Sequence, residues 1–429
     1  MRHHGWLRGD GTHEEGALLR ANICSVRIQV RSRLPGWLMT SKQITTVLGQ
    51  LGLTQIRYVS PVRRGAAQGL VGRVYKLAEQ EFGLLAPSLA LHSPAPQVFA
   101  ASWLMLRETL LAADRVDRIV KEAIATAVSL GNTCPWCVAV HTTMLSGLAP
   151  GQVLTGQPAE PAADPRLRAV TTWAQDCGTA EGALLHTPAC PAGEAPELIG
   201  TTVLFHYFNR MVNVFLTEVP LPPGTPRMAL GPVMWILGRT MRPAAMRPCQ
   251  PGTSLELLPA APPPHDLSWA SGDPVTEDAF ARACAAVDAA GARSVPPSVR
   301  DLVMTELENW HGEARGPSRA WAGTAVSGLP EADRPAGRLA LLTALASSQV
   351  DRSVVQMFRT SQPADSTLVE LTAWASLAAA RRVGTWIPVA AAEADRSSGS
   401  GSRSGSGSGS SGSTSTSTST STSTHRSST

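Results

Sequence analysis

The fold is decided by the stretch Glu122-Ala-Ile-Ala-Thr-Ala-Val-Ser-Leu-Gly-Asn-Thr-Cys134-Pro-Trp-Cys137-Val-Ala-Val-His141. Its first part, with the residues just before it, has apolar side chains at spacings of three and four, which predicts an amphipathic helix. Gly131-Asn132 predicts the end of that helix. We expect a second helix to begin beyond Cys134, which takes the N-cap position, with Pro135 as its first residue.

Three reactive side chains, Cys134, Cys137 and His141, should lie on one face of this second helix, because they are three and four residues apart. A thiolate is the reactive form of cysteine, and a helix N-terminus or a nearby imidazole lowers the thiol pKa. Two cysteines at this spacing can close a disulfide, and a histidine can accept the thiol proton. The stretch therefore predicts a redox-active dithiol site on a helical scaffold.

Other interpretations of the same residues stay open. The two cysteines also form half of a zinc site, but zinc takes four ligands, so a fourth would come from His186 or Cys190. The two thiols can alternatively be buried and inert. On pattern alone Glu122 lies on the polar face of its helix, where a glutamate is usually solvated.

A longer motif is more specific than the cysteine pair. Glu122, eleven further residues, and then the C-x-x-C-x-x-x-H of Cys134, Cys137 and His141 resemble the signature of the alkyl hydroperoxidase D family, within the carboxymuconolactone decarboxylase superfamily. The segment 205–216 resembles a later helix of that family that packs near the site. The resemblance covers roughly residues 46–237, with a weaker echo further along the chain.

The resemblance implies an all-α fold, symmetric homo-oligomers and a peroxiredoxin-type alkyl hydroperoxide reductase activity without cofactor or metal. By that resemblance, Cys137 is attacked by the hydroperoxide and becomes a sulfenic acid, and Cys134 resolves it as a disulfide. Glu122 and His141 would relay the proton that activates Cys137. A thiol reductant or a partner redox protein would close the cycle.

Two points complicate this assignment. The helix N-terminus favours Cys134 as the more acidic thiol, whereas the imidazole one turn away favours Cys137, and we follow the family in choosing Cys137. Some members also carry a histidine between the two cysteines, where this chain has Trp136. A proton relay through that position is absent, so slow peroxidase turnover is expected.

Two further hypotheses stay beside the hydroperoxidase. One is a dithiol-disulfide oxidoreductase that acts on a protein partner, and the other is a non-catalytic scaffold whose thiols sense redox state. A decarboxylase is disfavoured, because the decarboxylase branch of the superfamily lacks the C-x-x-C.

The rest of the chain divides by composition. We predict a poorly ordered N-terminal extension (1–45), a catalytic helical domain (46–237), a Pro-rich linker without long helices (238–275), a second helical domain (276–395) and a disordered Ser/Gly/Thr tail (396–429).

The second helical domain is predicted to be a degenerate repeat of the first. Asp117 precedes Glu122 by five residues, as Asp365 precedes Glu370. In that alignment Arg382 and Thr385 stand opposite Cys134 and Cys137, and Val389 stands opposite His141. The second helical domain would then lack the reactive side chains of the first.

Composition restricts the partners of this chain. Among 429 residues, 43% are hydrophobic and 16% charged, and the net charge of +4 is too small to indicate nucleic acid. The most apolar stretch, Leu198–Leu216, contains interrupting polar residues and predicts a buried amphipathic helix, so we expect no membrane partner. No secretory signal is visible, which makes the cytoplasm the expected location. A close cysteine pair there is more often catalytic or metal-binding than structural.

Overall fold

The computed structural model describes residues 41–112, 114–149, 164–185, 192–221 and 224–388. Within these ranges the fold is all-α, as predicted, and the only β-type pairing is an isolated bridge between Ala112 and Cys249. The predicted disorder of the N-terminal extension up to residue 40 and of the tail lies outside the described residues.

The first half of the chain supplies the helices that surround the cysteine pair. They are α1 (Ser41–Leu53), α2 (Gly69–Leu77), α3 (Pro87–Ala90), α4 (Pro96–Leu106), α5 (Arg118–Gly131), α6 (Pro135–Leu148), α7 (Pro165–Asp176), α8 (Ala180–Leu185), α9 (Ala195–Phe215) and α10 (Leu230–Ala245). The π-helical turns Ala78–Phe82 and Arg107–Leu111 extend α2 and α4.

The second half adds α11 (Pro274–Ser294), α12 (Pro297–Glu308), α13 (Ala320–Ala325), α14 (Arg334–Leu345), α15 (Arg352–Ser361) and α16 (Asp365–Trp386). Helix α11 begins where the local sequence predicts, because Pro274 has no N–H to satisfy and the Asp273 carboxylate accepts bonds from the N–H groups of Val275 and Thr276. None of the described helices combines the length and apolar character that crossing a membrane requires.

Helix α9 is the central element of the core. It packs against α5 on one side and α16 on the other. The predicted helix at 198–216 is therefore confirmed, but it is buried at every position except Asn213 and is not amphipathic. Its polar side chains serve hydrogen bonds inside the protein, because both flanking helices exclude water from it.

The two helical blocks share one hydrophobic core, which extends from Val59 to Ile387 and lies within one compact unit. Helix α4 of the first block packs against α11 of the second. The segment between the blocks also contributes, since Leu257 and Trp269 are buried. The division into separate domains stays a prediction from composition.

The segment predicted as a linker differs from expectation at its start. Helix α10 continues to Ala245 through Pro243. A proline two residues before a helix end removes a single backbone hydrogen bond and clashes with only one earlier carbonyl, so the helix tolerates it there. The prolines beyond it are followed by short 3₁₀ turns, Leu255–Leu257 and His265–Ala270.

The two helices that the predicted repeat aligns differ in where they end. Glu122 lies on α5, which ends at Gly131, and Glu370 lies on α16, which runs unbroken past the positions aligned with the two cysteines. Arg293 donates to Glu370 at 2.8 Å and Ser294 donates to its other oxygen, whereas no histidine of the described part of the chain bonds to this carboxylate. The repeat itself stays a prediction.

A buried histidine should make the stability of the protein depend on pH. His92 is fully buried between the rings of Tyr207 and Phe208, and burial lowers its pKa to about 3. In the unfolded chain His92 should have its ordinary pKa of about 6.5. Between that value and the folded pKa only the unfolded chain binds the proton, so the free energy of unfolding decreases as the pH falls below about 6.5. Between pH 7 and pH 5 His92 should account for a loss of about 2 kcal/mol.

Urea unfolding at the two pH values measures this loss. In His92→Phe, which keeps an aromatic ring between Tyr207 and Phe208, the pH-dependent loss should shrink by about 2 kcal/mol. An identical pH dependence in wild type and variant would refute the assignment.

Candidate active site

The turn between α5 and α6 places the first cysteine. Helix α5 ends at Gly131, Cys134 is the N-cap of α6, and Pro135 is its first residue, which confirms the prediction for this stretch. The Cys134 N–H donates to the Ser129 carbonyl at 2.9 Å, and Thr133 has a φ of 50°, in the left-handed region that non-glycine residues seldom adopt. This tight turn places the start of α6 against the end of α5.

The two cysteines form a disulfide, with their Cα atoms 5.4 Å apart. Both are almost completely buried, since Cys134 is 1% and Cys137 is 2% exposed. The sulfur pair is therefore reached only through the protein interior. His186 and Cys190, the candidate fourth zinc ligands, lie outside the described residues, and no cluster of three or more metal-ligating side chains forms within them.

A buried carboxylate holds the histidine of the motif. The His141 Nδ1–H donates to Glu122 Oε2 at 2.7 Å, and Arg118 donates to the other oxygen, Oε1, from Nε at 2.8 Å and Nη2 at 2.7 Å. Burial by itself raises the pKa of Glu122, but Arg118 and His141 outweigh it and hold that pKa below its ordinary value. An ionised Glu122 fixes the proton of His141 on Nδ1 and leaves Nε2 as the basic nitrogen.

The interpretation of Glu122 as a solvated glutamate is wrong, because its side chain is fully buried. Helix α6 packs against α5 and covers the glutamate, while Arg118, one turn earlier on α5, neutralises its charge. The sequence contains a signal for this pair, since arginine and glutamate four residues apart on a helix are neighbours.

An apolar cavity of about 300 Å³ opens onto the second cysteine. Cys137 and His141 line it, whereas Cys134 does not. The remaining walls come from α1, the α3 region, α9 and α10, and the apolar side chains include Leu48, Leu51, Leu84, Leu89, Val140, Phe205, Phe208, Val233, Leu237 and Met241. The cavity can therefore admit a small apolar molecule to Cys137.

Two contacts orient the groups around the cavity. The Trp136 indole N–H donates to Gln55 Oε1 at 2.8 Å, which ties the C-x-x-C segment to the residues just after α1. The ring of Phe205 meets the His141 ring edge to face, with centroids 4.6 Å apart. The segment 205–216 was expected near the site and does supply this contact, whereas no sequence signal indicates Gln55.

A hydrogen-bond network from α9 supports the turn that precedes Cys134. Asn132 Nδ2 donates to Asn209 Oδ1 at 3.0 Å and to His206 Nδ1 at 3.1 Å. Asn213 Nδ2 in turn donates to the Asn132 carbonyl at 3.2 Å. These bonds hold the turn in place from the side opposite the apolar cavity.

The remaining described cysteines lie away from this arrangement. Cys284 is a buried helical residue, as expected, and burial raises the pKa of its thiol to about 12. Burial likewise raises the pKa of Cys177 and of the half-buried Cys249. Raised pKa values disfavour the thiolate, so these three side chains are not reactive candidates.

Comparison with known proteins gives two findings. The model of the carboxymuconolactone decarboxylase family matches residues 97–176, a range that contains all four residues of the motif. A Mycobacterium tuberculosis protein named alkyl hydroperoxide reductase Rv2159c is 38% identical over 344 residues, which span 78% of this chain and 96% of that relative.

Proposed function

Because the chain belongs to the carboxymuconolactone decarboxylase family, we propose that it uses the thiols of Cys134 and Cys137 to reduce organic hydroperoxides. One observation carries the proposal: Cys137 and His141 line the same apolar cavity, and the buried carboxylate of Glu122 holds His141. The printed name of the mycobacterial relative supports the same reaction class.

The first step oxidises Cys137. His141 Nε2 accepts the thiol proton, and the resulting thiolate attacks the terminal oxygen of the hydroperoxide. The O–O bond breaks, the alkoxide leaves as an alcohol after taking the proton back from His141, and Cys137 carries a sulfenic acid. Glu122 stabilises the imidazolium that forms between these two proton transfers.

The second step closes the disulfide. The Cys134 thiol attacks the sulfenic sulfur, and hydroxide leaves as water after taking one proton. The Cys134–Cys137 disulfide of the structure is the product of this step in the proposed cycle. A small dithiol reductant then supplies two electrons and two protons and restores both thiols.

Burial of the pair bears on the alternative hypothesis of disulfide exchange with a protein partner. A protein disulfide must bring its own sulfur within bonding distance of the attacking thiolate, and both sulfurs here lie beneath the surface. A small hydroperoxide meets no such restriction. We therefore rank hydroperoxide reduction first, and homo-oligomerisation and a cytoplasmic location stay predictions.

Turnover of a hydroperoxide tests the function. Purified protein with dithiothreitol should consume cumene hydroperoxide catalytically, and mass spectrometry after a single exposure without reductant should find the 134–137 disulfide. A pair that cycles between dithiol and disulfide with no peroxide consumed, together with reduction of insulin, would instead support the disulfide-exchange hypothesis.

The apolar walls predict a preference among hydroperoxides. Cumene hydroperoxide can bury its ring in the cavity while hydrogen peroxide cannot, and about 60 Å² of additional apolar burial is worth about 1.5 kcal/mol. We expect kcat/KM for cumene hydroperoxide to exceed that for hydrogen peroxide by about tenfold. Steady-state kinetics with both substrates measure the ratio.

The matched variant for this prediction is Val233→Phe. Val233 is a half-buried cavity residue on α10. A larger side chain there should therefore narrow the cavity without disturbing the packing of the hydrophobic core. The variant should lose most of the preference for cumene hydroperoxide and keep the wild-type rate with hydrogen peroxide. Equal rates for the two substrates in the wild type would contradict an apolar entrance.

A further inference from the structure

A second cavity, of about 310 Å³, lies on the other side of the turn that carries Cys134. The end of α5, the end of α7 and α9 form its walls on the first block, and residues 310–316 and 344–349 form them on the second. Asn132 and Thr133, the two residues before Cys134, line it directly. The lining of this cavity is more polar than that of the first, and the proposed reaction does not use it.

A buried cation without a counter-ion lines the second cavity. Arg210 is 6% exposed, yet no carboxylate among the described residues forms an ion pair with it. Its Nε donates to the Ala344 carbonyl at 2.8 Å and its Nη1 to the His206 carbonyl at 2.7 Å, while Nη2 donates to no described group. Burial lowers the pKa of Arg210 to about 10, so the guanidinium stays charged at neutral pH.

A second donor in the same cavity wall lacks an acceptor. His206 lines the cavity and is 3% exposed, and its Nδ1 accepts hydrogen bonds from Asn132 Nδ2 and Arg210 Nη1. Burial, reinforced by Arg210, lowers the pKa of His206 well below its ordinary value. The neutral ring therefore carries its proton on Nε2, and that N–H has no hydrogen-bond partner among the described residues.

Apart from Arg210, the charged groups of the cavity are one ion pair and one exposed carboxylate. Arg315 pairs with Glu306 at 3.1 Å, and Glu313 is an exposed carboxylate whose Oε2 accepts the His311 N–H. Gln349 Oε1 is buried without a donor among the described residues. Buried charges in proteins are ordinarily paired, and Arg210 departs from that rule.

We propose that this cavity binds the oxyanion group of a small carboxylate or phosphate compound, with Arg210 as its counter-charge. A carboxylate or phosphate oxygen accepts from a guanidinium N–H group, and Nη2 of Arg210 has no acceptor among the described residues. The bound group would contact Asn132 and Thr133 and so lie directly behind Cys134. The site is independent of the proposed peroxide chemistry, because none of its residues lines the first cavity.

Isothermal titration of the full-length protein tests the proposal. Inorganic phosphate and malonate are the probes, malonamide is the uncharged control, and ionic strength is held constant. We expect saturable binding of one phosphate or one malonate per chain and no binding of malonamide. Binding of only one of the two anions identifies which oxyanion the site accepts.

Two variants locate the binding. Gln175→Glu adds a carboxylate at an exposed residue of the cavity wall on α7, and it should weaken binding by about tenfold, while the neutral Gln175→Asn stays within about twofold of wild type. Arg210→Met, checked for folding by circular dichroism, should abolish binding. Absence of saturable anion binding to the wild type, or equal affinity in wild type and Gln175→Glu, would overturn the proposal.

Discussion

Replacement of Cys137 by serine should lower hydroperoxide consumption by at least about 10³-fold, because a hydroxyl at this position is not ionised at neutral pH and is a far weaker nucleophile than a thiolate. Cys137 is the sulfur that lines the apolar cavity, and His141 follows it by one helical turn. The substitution changes one buried atom, so the fold should survive. Stopped-flow or coupled measurement of peroxide loss, with a dithiol present, gives the rate.

Cys134→Ser is the matched control for this experiment. It removes the resolving thiol but leaves the attacking one, so a single equivalent of hydroperoxide should be consumed rapidly, and dimedone should label Cys137 as a sulfenic acid. Multiple turnover should then depend on direct attack by the added reductant. If Cys134→Ser is the dead variant and Cys137→Ser reacts, the helix N-terminus and not His141 selects the attacking cysteine.

Replacement of Glu122 by glutamine should lower kcat/KM by about 10²-fold, the lower end of what general acid–base catalysis contributes. A neutral amide neither stabilises the imidazolium of His141 nor restricts its proton to Nδ1. The bond from Arg118 also loses its charge partner, so some loss of stability is expected with the loss of rate. Kinetics at pH 7 and urea unfolding of the same preparation measure both.

The control for Glu122 is another buried glutamate in an ion pair. Glu197 Oε2 lies 2.6 Å from Lys121 Nζ and is 2% exposed, but it lines neither of the two cavities. Glu197→Gln should therefore cost stability without changing the rate per folded molecule. Equal losses of kcat/KM in the two variants would mean that the Glu122 effect is structural.

A pH series separates the two consequences of the Glu122 substitution. The folded pKa of Glu122 lies below its ordinary value of 4.5, so the stability it contributes is present above that value and is lost as pH falls below it. The stability difference between wild type and Glu122→Gln should consequently be largest near neutral pH and shrink below about pH 4.5.

Local signals in the sequence were sufficient for the cysteine turn. Periodicity predicted the helices, and glycine, asparagine and proline at 131, 132 and 135 marked the end of one helix and the start of the next. These features depend on neighbours within four residues. These helix ends can consequently be predicted without knowing how the rest of the chain packs.

Features that depend on distant partners were not predictable in the same way. Gln55 reaches Trp136 from 81 residues away, and Trp269, inside the segment expected to be a linker, is buried in the shared core. The burial of Glu122 has the same origin, because it follows from the packing of α6 on α5 and not from the helix itself. Only the longer family motif singled out that residue in advance.

The exclusive contact of Cys137 with the first cavity has a kinetic consequence. Cys137 lines the first cavity and Cys134 does not, so we expect the reductant that reopens the disulfide to attack the Cys137 sulfur by the entrance that the hydroperoxide uses in the proposed reaction. The two substrates then occupy one position at different stages, which is a ping-pong scheme. Each should inhibit competitively against the other at high concentration, and excess reductant should slow peroxide turnover.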